Sequence, residues 1–371
     1  MRSDGVTAAA TCPSVAPPAS SRRSDYAELS SQIRQAGLMK RRPVRYAWRI
    51  ALTVLLLAGG WVAFVLVGNS WWQVAVAVFF AIVFTQVGFL GHDVGHQQVS
   101  RRRRISSVLG LLLGNLGIGL SYEWWVGKHN RHHVHPNTEG ADPDIAVGAL
   151  AFTQSQAASS QGLLRVLFRF QAYLFFPLLL AEAASLHVAS VRSLATRSTR
   201  ERTRWWAAEG ALLAANFAGY FAAVFLVLPP VKAIVFILIN QGLFGLYLGA
   251  SFAPNHKGMP ILDATDRSDF LRRQVLTSRN VTGGWLSDLA LGGLNYQIEH
   301  HLFPSMPRSN LRRAQPLIRE FCRQREVSYC EVSLIASYAQ ALRHLNTVGK
   351  PPASAKARRV SPAPSGGTAA S

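Results

Sequence analysis

The stretch WWQVAVAVFFAIVFTQVGFLGHDVGH, residues 71–96, combines the two features that decide the fold of this chain. It begins with about twenty almost wholly apolar residues, the length of helix that crosses the hydrocarbon core of a bilayer. The helical pattern continues into HDVGH, which places His92 and His96 four residues apart on one helical face. The stretch therefore predicts a membrane-spanning helix that carries two histidines at its end.

Three further apolar stretches are long enough to span a membrane, and together the four stretches form two hairpins. The 371 residues are 49% hydrophobic yet carry a formal net charge of +20. This combination favours an all-α integral membrane protein with basic aqueous faces, in which the hairpins turn at residues 68–70 and at Pro229 and Pro230. The predicted spans are residues 47–67, 71–90, 207–228 and 231–252.

Basic residues are concentrated on the side of the membrane where the histidines emerge. By the positive-inside rule this side is cytoplasmic, together with both termini and the active site. We therefore expect a multi-pass protein of the inner (plasma) membrane. Because the basic runs flank spans, we expect no nucleic-acid partner. The runs are Arg41, Arg42, Arg45 and Arg49; Arg101 to Arg104; and Arg200, Arg202 and Arg204.

The two ends of the chain have compositions that do not support a packed core. Residues 1–44 and 347–371 are rich in Ala, Ser and Pro, so both are predicted to be disordered cytoplasmic tails. The membrane domain is then residues 45–346. Its segment 307–345 shows apolar residues at helical spacing, which predicts two amphipathic helices in a helical cap over the metal site.

Two other apolar segments, residues 105–120 and 170–191, are predicted to be interfacial or half-inserted. The first is short and contains four glycines, and the second is interrupted by Glu182 and His187. If either segment crossed alone, the histidine clusters would lie on opposite sides of the membrane. Keeping the clusters together therefore requires that neither segment spans the bilayer.

Two more clusters and one isolated histidine complete a candidate metal site. HNRHH supplies three imidazoles at helical spacings of three and four, whereas the two adjacent histidines of QIEHH point in different directions, as two metals sharing one pocket would require. Burying so many imidazoles without a metal would leave many polar nitrogens unsatisfied. The candidate ligands are His92, His96, His129, His132, His133, His256, His300 and His301.

Several neighbouring residues are candidates for a supporting role around the metal. A carboxylate beside a histidine more often orients the imidazole than binds the metal itself. The candidates are Asp93, Asn255, Gln297, Glu299 and His135. Asp142 and Asp144 are interpreted instead as a solvated loop or a helix cap. No catalytic side chain is predicted beyond the metal centre.

The three histidine motifs resemble those of the integral-membrane fatty acid desaturases. HDVGH, HNRHHVHPN and QIEHHLFP match the three histidine boxes of that family in type, order and position, over roughly residues 45–345. KHNRHHVHPN and APNHKGMP look closest to actinobacterial acyl-CoA and linoleoyl-CoA desaturase-like proteins. Gln297, where many desaturases have histidine, is similar to the third box of front-end desaturases.

The resemblance implies a non-haem diiron centre, that is, two iron ions held by these eight histidines. Ligand type alone is compatible with iron, copper or zinc. It also implies that O2 and two electrons are used to introduce a cis double bond into a fatty acyl chain, carried as acyl-CoA or acyl-lipid. Because the chain lacks an HPGG segment like that of a fused cytochrome b5 domain, we expect a separate ferredoxin or flavin reductase to dock on the basic face.

Other readings of the same residues stay open. A fatty acyl or carotenoid hydroxylase or ketolase could use the same histidine boxes, because insertion of oxygen and removal of a second hydrogen diverge only after the first abstraction. A non-catalytic membrane metal carrier is expected to place its polar ligands inside the spans. A zinc hydrolase of the HExxH type is disfavoured because that motif is absent. Candidate tunnel-lining residues are Trp124, Trp125, Trp285 and Tyr296.

Overall fold

The structure, a computed structural model, describes residues 24–263 and 265–350. The described part of the chain is mostly helical, with a π-helical segment at Leu111–Gly117 and one short parallel pair of strands, β1 (Asn280–Val281) and β2 (Glu331–Val332). The helices are α1 (Ser24–Gln35), α2 (Pro43–Val67), α3 (Gln73–Gly95), α4 (Arg103–Gly110), α5 (Tyr122–Val134), α6 (Gln154–Ser159), α7 (Gly162–Arg169), α8 (Gln171–Leu179), α9 (Glu182–Thr196), α10 (Trp206–Val227), α11 (Pro230–His256), α12 (Phe270–Leu276), α13 (Trp285–Ala290), α14 (Gln297–Leu302), α15 (Arg308–Gln324) and α16 (Leu334–Val348).

Four helices of the described chain, α2, α3, α10 and α11, are long and apolar enough to span a membrane. They are the four predicted spans, which confirms the all-α membrane architecture. The first hairpin turns at Gly68, whose φ of +58° is the left-handed conformation that favours glycine. Pro230 begins α11, where proline costs no hydrogen bond. This helix continues past the predicted end at residue 252 to His256.

The bundle core lies between α3 and α11, which are the most closely packed pair of helices. Aromatic side chains such as Phe80, Phe84 and Phe244 are buried there. In contrast, Leu55 and Leu66 on α2 are 68% and 80% exposed. Large exposed apolar side chains along a spanning helix are the surface that lipid covers. Thus α3 is an inner helix and α2 an outer one.

Each of the two predicted interfacial segments has a sharp bend at one end. Residues 103–117 meet α5 at 110°, and α7 meets α8 at 97°. Residues 170–191 contain two helices, since α8 ends at Leu179 and α9 starts at Glu182. At this break the backbone packs against Gly245, where a Cβ atom would lie 2.7 Å from Ala183 N and 2.8 Å from Leu179 O. The break therefore lets α9 approach α11 closely.

The N-terminal prediction was wrong for residues 24–40. Within this stretch, α1 has Leu29 and Ile33 fully buried in the cap core with Ile298 and Phe321. The two residues are spaced by four, so one helical face is apolar. This short stripe was hidden by the Ala, Ser and Pro composition around it. Residues 1–23 of the predicted tail lie outside the described residues.

The cap contains the two amphipathic helices expected near the C-terminus, α15 and α16. Leu311, Ile318 and Phe321 of α15 are buried, although Leu317 is 41% exposed and Ile335 of α16 is 83% exposed. The predicted tail boundary at residue 347 is two residues early, because α16 continues to Val348, which is buried. Residues 351–371 lie outside the described part of the chain.

Candidate metal centre

The first group of imidazoles collects four histidines from three helical elements. Their candidate ligand nitrogens all lie within 4.8 Å of one another. His96 directly follows α3, and its amide donates to the carbonyl of His92, so the helical register of the first box continues as predicted. The members of this group are His92, His96, His129 and His300.

The second group contains His132, His256 and His301, again within 4.8 Å. In each ring Nδ1 already has a partner. The Nδ1 of His132 donates to Asp142 Oδ2 at 2.9 Å, and the Nδ1 of His256 donates to the carbonyl of Thr277 at 3.0 Å. His301 Nδ1 donates to Gln274 Oε1 at 2.8 Å. These bonds fix the tautomer, so all three rings present a lone pair on Nε2.

His133 lies between the two groups. Its Nε2 is 3.1 Å from the Nε2 atoms of both His129 and His300 in the first group. Its ring also stacks on His301 of the second group, with centroids 4.3 Å apart. The adjacent residues His300 and His301 belong to different groups, and their rings are perpendicular. All eight predicted histidines are therefore brought together, and each is buried.

The helix that carries the second box is anchored at its N-terminus by a buried carboxylate. Glu209 of α10 is fully buried and accepts hydrogen bonds from Ser121 Oγ at 2.6 Å and from the amide of Glu123 at 3.1 Å. Ser121 in turn caps α5 by accepting from the amide of Trp124. Acidic groups and serine caps both stabilise helix N-termini. A spanning helix thereby fixes where α5 begins.

The end of α11 is held by a fully buried arginine. Arg279 donates from Nε to the carbonyl of Pro254 at 2.6 Å, from Nη2 to the carbonyl of Lys257 and from Nη1 to Gln340 Oε1. Burial lowers the pKa of Arg279 to about 10, so it remains charged at neutral pH. These bonds bracket His256 on both sides and fix its backbone.

Gln297 points into the second group. Its Nε2 is 2.9 Å from His256 Nε2, and its Oε1 accepts from the side-chain Nδ2 of Asn255 at 3.4 Å. Both residues are buried. The predicted candidates Gln297 and Asn255 are therefore beside the imidazoles, and Gln297 reaches the face that the three rings share.

The other predicted supporting residues differ in position. Asp93 Oδ1 is 3.6 Å from His92 Nδ1, while its Oδ2 pairs with Arg308 Nε at 3.2 Å. Glu299 was expected to orient an imidazole, which was wrong: it accepts from Tyr329 and Asn280 instead. Burial raises the pKa of Glu299 to about 7.

The supporting role considered for His135 is also contradicted. His135 is exposed and follows the last residue of α5, where the chain turns away from the cluster. Its side chain therefore points outside the site that the other eight histidines form.

Of the two interpretations of Asp142, the solvated loop was wrong and the helix cap was right. The residue is 3% exposed, and it caps the short 3-10 helix Pro143–Ile145 by accepting from the amide of Asp144. It also accepts from His132 and from the amide of Asn137. The only feature of the sequence that could have linked Asp142 to the site is its position ten residues after His132. Nothing in the sequence identified Gln274 or Arg279 as part of the site, because each lies outside the histidine motifs.

The residues present suit a metal. The Nε2 atoms of His92, His96 and His301 are buried and have no hydrogen-bond partner within the described chain. Burial and the neighbouring imidazoles hold the pKa values of His300 and His301 well below their ordinary value. Both rings are therefore neutral at pH 7, and neutral imidazole is the form that binds metal ions. A metal site requires neutral imidazole rings whose buried nitrogens are not already used in a hydrogen bond.

A mostly apolar cavity of about 280 Å³ opens beside both groups. Trp125, His129 and His132 are among the residues that line it, together with the apolar side chains of Leu179 and Phe252. A smaller cavity of about 60 Å³ next to His92 shares Trp125, Leu186, Leu248 and Phe252 with the larger one. Of the predicted lining residues, Trp125 is in place, whereas Trp285 is 68% exposed elsewhere.

The fold and the site together define a class: helical membrane proteins with a histidine-rich metal site at one end of the spans. Residues 69–333 match the family profile described as "Fatty acid desaturase". The chain therefore belongs to the fatty acid desaturase family, an oxidoreductase family, which confirms the resemblance seen in its three histidine motifs.

Characterised relatives agree with this assignment. The chain is 30% identical to an acyl-lipid (9-3)-desaturase of Physcomitrium patens, covering 88% of this chain and 63% of that protein. It is 30% identical to a Delta(6)-fatty-acid desaturase of Caenorhabditis elegans, covering 88% and 75% respectively. A Delta(8)-fatty-acid desaturase of Helianthus annuus is 26% identical over 87% of this chain and 72% of its own length.

Proposed function

We propose that this chain is a membrane desaturase that uses O2 and two external electrons to introduce a cis double bond into a fatty acyl chain at a non-haem diiron centre. The observation that carries the proposal is the pair of neighbouring imidazole groups beside an apolar cavity. A single group would suit one metal ion. Two groups connected by His133 suit two ions in one pocket.

The proposed ligands are the eight buried histidines. His92, His96, His129 and His300 would hold one iron, and His132, His256 and His301 the other, with His133 at the boundary. The second group has one imidazole fewer, and the side chain of Gln297 extends toward it. We propose that Gln297 completes this site, either by its oxygen after a half-turn of the amide away from Asn255 or through a water that it holds. Iron, rather than copper or zinc, is supported by family membership.

When bound, the two irons supply the O2-dependent oxidation that an unactivated methylene requires, since no acid or base side chain can break its C–H bond. The chain's own residues orient the centre and exclude water. Asp142, Thr277 and Gln274 hold three imidazoles by Nδ1. Trp125 stacks on His129 with ring centroids 4.6 Å apart and forms part of the cavity wall.

The substrate proposed for the cavity is a fatty acyl chain. Apolar side chains such as Phe175, Leu179 and Leu248 suit methylenes. Lys128 and Lys257 also line the cavity, and although each already donates to Asp144, their remaining N–H groups suit a polar head group. The characterised relatives include proteins named acyl-lipid and fatty-acid desaturases. These names support a fatty acyl substrate, and the first supports one carried as acyl-lipid. We propose acyl-CoA as the alternative carrier.

An electron donor must act in every turnover. Reduction of O2 to two waters takes four electrons, and formation of the double bond supplies two of them. We propose that a separate ferredoxin or flavin reductase supplies the other two by docking on the basic face. Basic surfaces attract acidic electron carriers and raise their association rate. The arginines near the histidine end of the bundle support a cytoplasmic active site. We propose that the membrane is the plasma membrane.

The test is the lipid profile of a desaturase-deficient host that expresses the chain with a ferredoxin and its reductase. Mass spectrometry would locate any new double bond. We expect unsaturation with the unsubstituted chain and with His135→Ala, whose exposed imidazole lies two residues beyond His133. We expect none with His132→Ala. Hydroxylated lipids would favour the hydroxylase, and unchanged lipids with an iron-loaded protein would contradict the proposal.

A further inference from the structure

The segment that leads into the third histidine box protrudes from an otherwise buried region. Residues 282–290, here called the α13 loop, lie between buried β1 and the wholly buried residues 291–301. Three large apolar side chains of this loop face outward: Trp285, Leu286 and Leu289 are 68%, 61% and 58% exposed. Clustered aromatic and leucine side chains of this kind mark an interaction surface.

The polar side of the same loop faces the protein. Asp288 accepts from Asn295 Nδ2 at 2.8 Å and lies 3.9 Å from Arg312 Nη1. The polar side chain of this short helix therefore faces the protein and its apolar side chains face outward, which is the reverse of a helix on a water-exposed surface. An outward apolar face is stable when its surroundings are apolar.

Contacts with two spanning helices give the depth of the loop. Gln86 Nε2 donates to the carbonyl of Leu289 at 3.4 Å, and the hydroxyl of Tyr247 donates to the carbonyl of Ala290 at 2.7 Å. Gln86 lies 13 residues after the start of α3 and Tyr247 lies 17 residues after the start of α11. At 1.5 Å per residue these positions are about 20 and 26 Å along their helices, in a hydrocarbon core about 30 Å thick.

The starting points of both helices mark the opposite membrane boundary. Trp71 and Trp72, just before α3, are 58% and 75% exposed, and tryptophan concentrates at membrane interfaces. Lys232 at the start of α11 donates to the carbonyl of Asn69 at 3.1 Å, so the two helices begin at the same level. The end of α13 is therefore about 4–10 Å inside the boundary on the histidine side.

The hydrogen bonds are those that such a depth requires. In hydrocarbon no water is present to satisfy backbone carbonyls, so each needs a partner from the protein. Gln86 and Tyr247 satisfy the carbonyls of Leu289 and Ala290. Gly292 then presses the loop onto α3, where a Cβ atom would lie 2.4 Å from the ring of Phe89.

We propose that the α13 loop inserts into the lipid leaflet on the histidine side, with Trp285, Leu286 and Leu289 among the lipid acyl chains. In this position the lipid directly contacts the segment that leads to α14 and its two histidines. This inference depends on the spanning helices and is independent of the reaction proposed above.

The test is a spin label at Leu286→Cys in the full-length chain in liposomes, with Glu320→Cys on the exposed face of α15 as the matched control. The signal of the unsubstituted chain provides the background from native cysteines. Power saturation with lipid-soluble O2 and a water-soluble nickel chelate reports the surroundings of each label. We expect the O2-to-nickel accessibility ratio to be several-fold higher at residue 286 than at residue 320.

Equal ratios, or a higher nickel accessibility at residue 286, would overturn the proposal and indicate a water-facing surface available to a protein partner. Trp285→Cys is a second label site on the same face and should give the same ratio as Leu286→Cys. Both side chains are exposed, so neither substitution removes a core contact.

Discussion

Asp142→Asn tests whether the carboxylate behind the second group of imidazoles tunes the metal site. The carboxylate accepts from His132 Nδ1 at 2.9 Å and from the amides of Asn137 and Asp144, both at 2.8 Å. An amide of the same shape keeps one acceptor oxygen. Because each carboxylate oxygen accepts from one backbone amide, the new NH2 group must face the amide of Asn137 or of Asp144. The remaining oxygen can still accept from His132 Nδ1, but the ring loses its charged partner.

The expected magnitude follows from these contacts. Removing the partner of a metal-binding histidine costs about 10–100-fold in metal affinity, or about 1.4–2.7 kcal/mol. One buried backbone amide left without an acceptor costs about 1–3 kcal/mol of folding stability. The variant should therefore fold with a lower melting temperature and bind the iron of the second group weakly.

The assay is an iron titration of the metal-depleted protein in detergent, followed by the desaturation assay at saturating iron. Asp263→Asn, at an exposed position, is the matched acid-to-amide control. We expect the control to match the unsubstituted chain, and Asp142→Asn to retain one tightly bound iron and lose the second at limiting iron. Two irons bound with unchanged affinity would refute the reasoning.

Three further predictions address packing and protonation. Leu29→Ala should lower the free energy of unfolding by about 2–5 kcal/mol, because the side chain is fully buried in the cap. The control is Ser31→Ala, at an exposed position of the same helix. If both variants had the same small effect, the prediction of a disordered tail would be correct for this stretch. Gly245→Ala should destabilise the chain by forcing α9 away from α11, whereas Gly219→Ala, with open space at its Cβ, should be neutral or slightly stabilising in thermal unfolding. Burial lowers the pKa of His344, which lies against the carbonyl of Phe152, so the unfolded chain binds a proton more readily than the folded one. The unsubstituted chain should therefore lose stability as pH falls below about 6.5, and His344→Gln should lose less. The measurement is the melting temperature of both chains from pH 8 to pH 5.5. An equal change in melting temperature for the two chains would contradict the prediction.

The spans and histidine boxes could be predicted because their signals are local. A run of about twenty apolar residues specifies a spanning helix by its own transfer energy. His92 and His96, or His129 and His133, share a helical face whatever surrounds them. The same local logic failed at α1, where two buried residues, Leu29 and Ile33, gave too short a stripe to outweigh the composition around them.

By itself, the sequence determined that the chain crosses a membrane, that its histidines emerge at one end of the spans, and that they suit a metal. Tertiary structure alone decided which imidazoles share a group, and that Thr277, Gln274 and Asp142 hold three of them by Nδ1. It also placed Arg279 behind His256 and the α13 loop against Gln86 and Tyr247. The physical reason is range: hydropathy and helical period act between residues a few positions apart, whereas these hydrogen bonds join residues separated by 10 to more than 200 positions and leave no periodic trace in the chain.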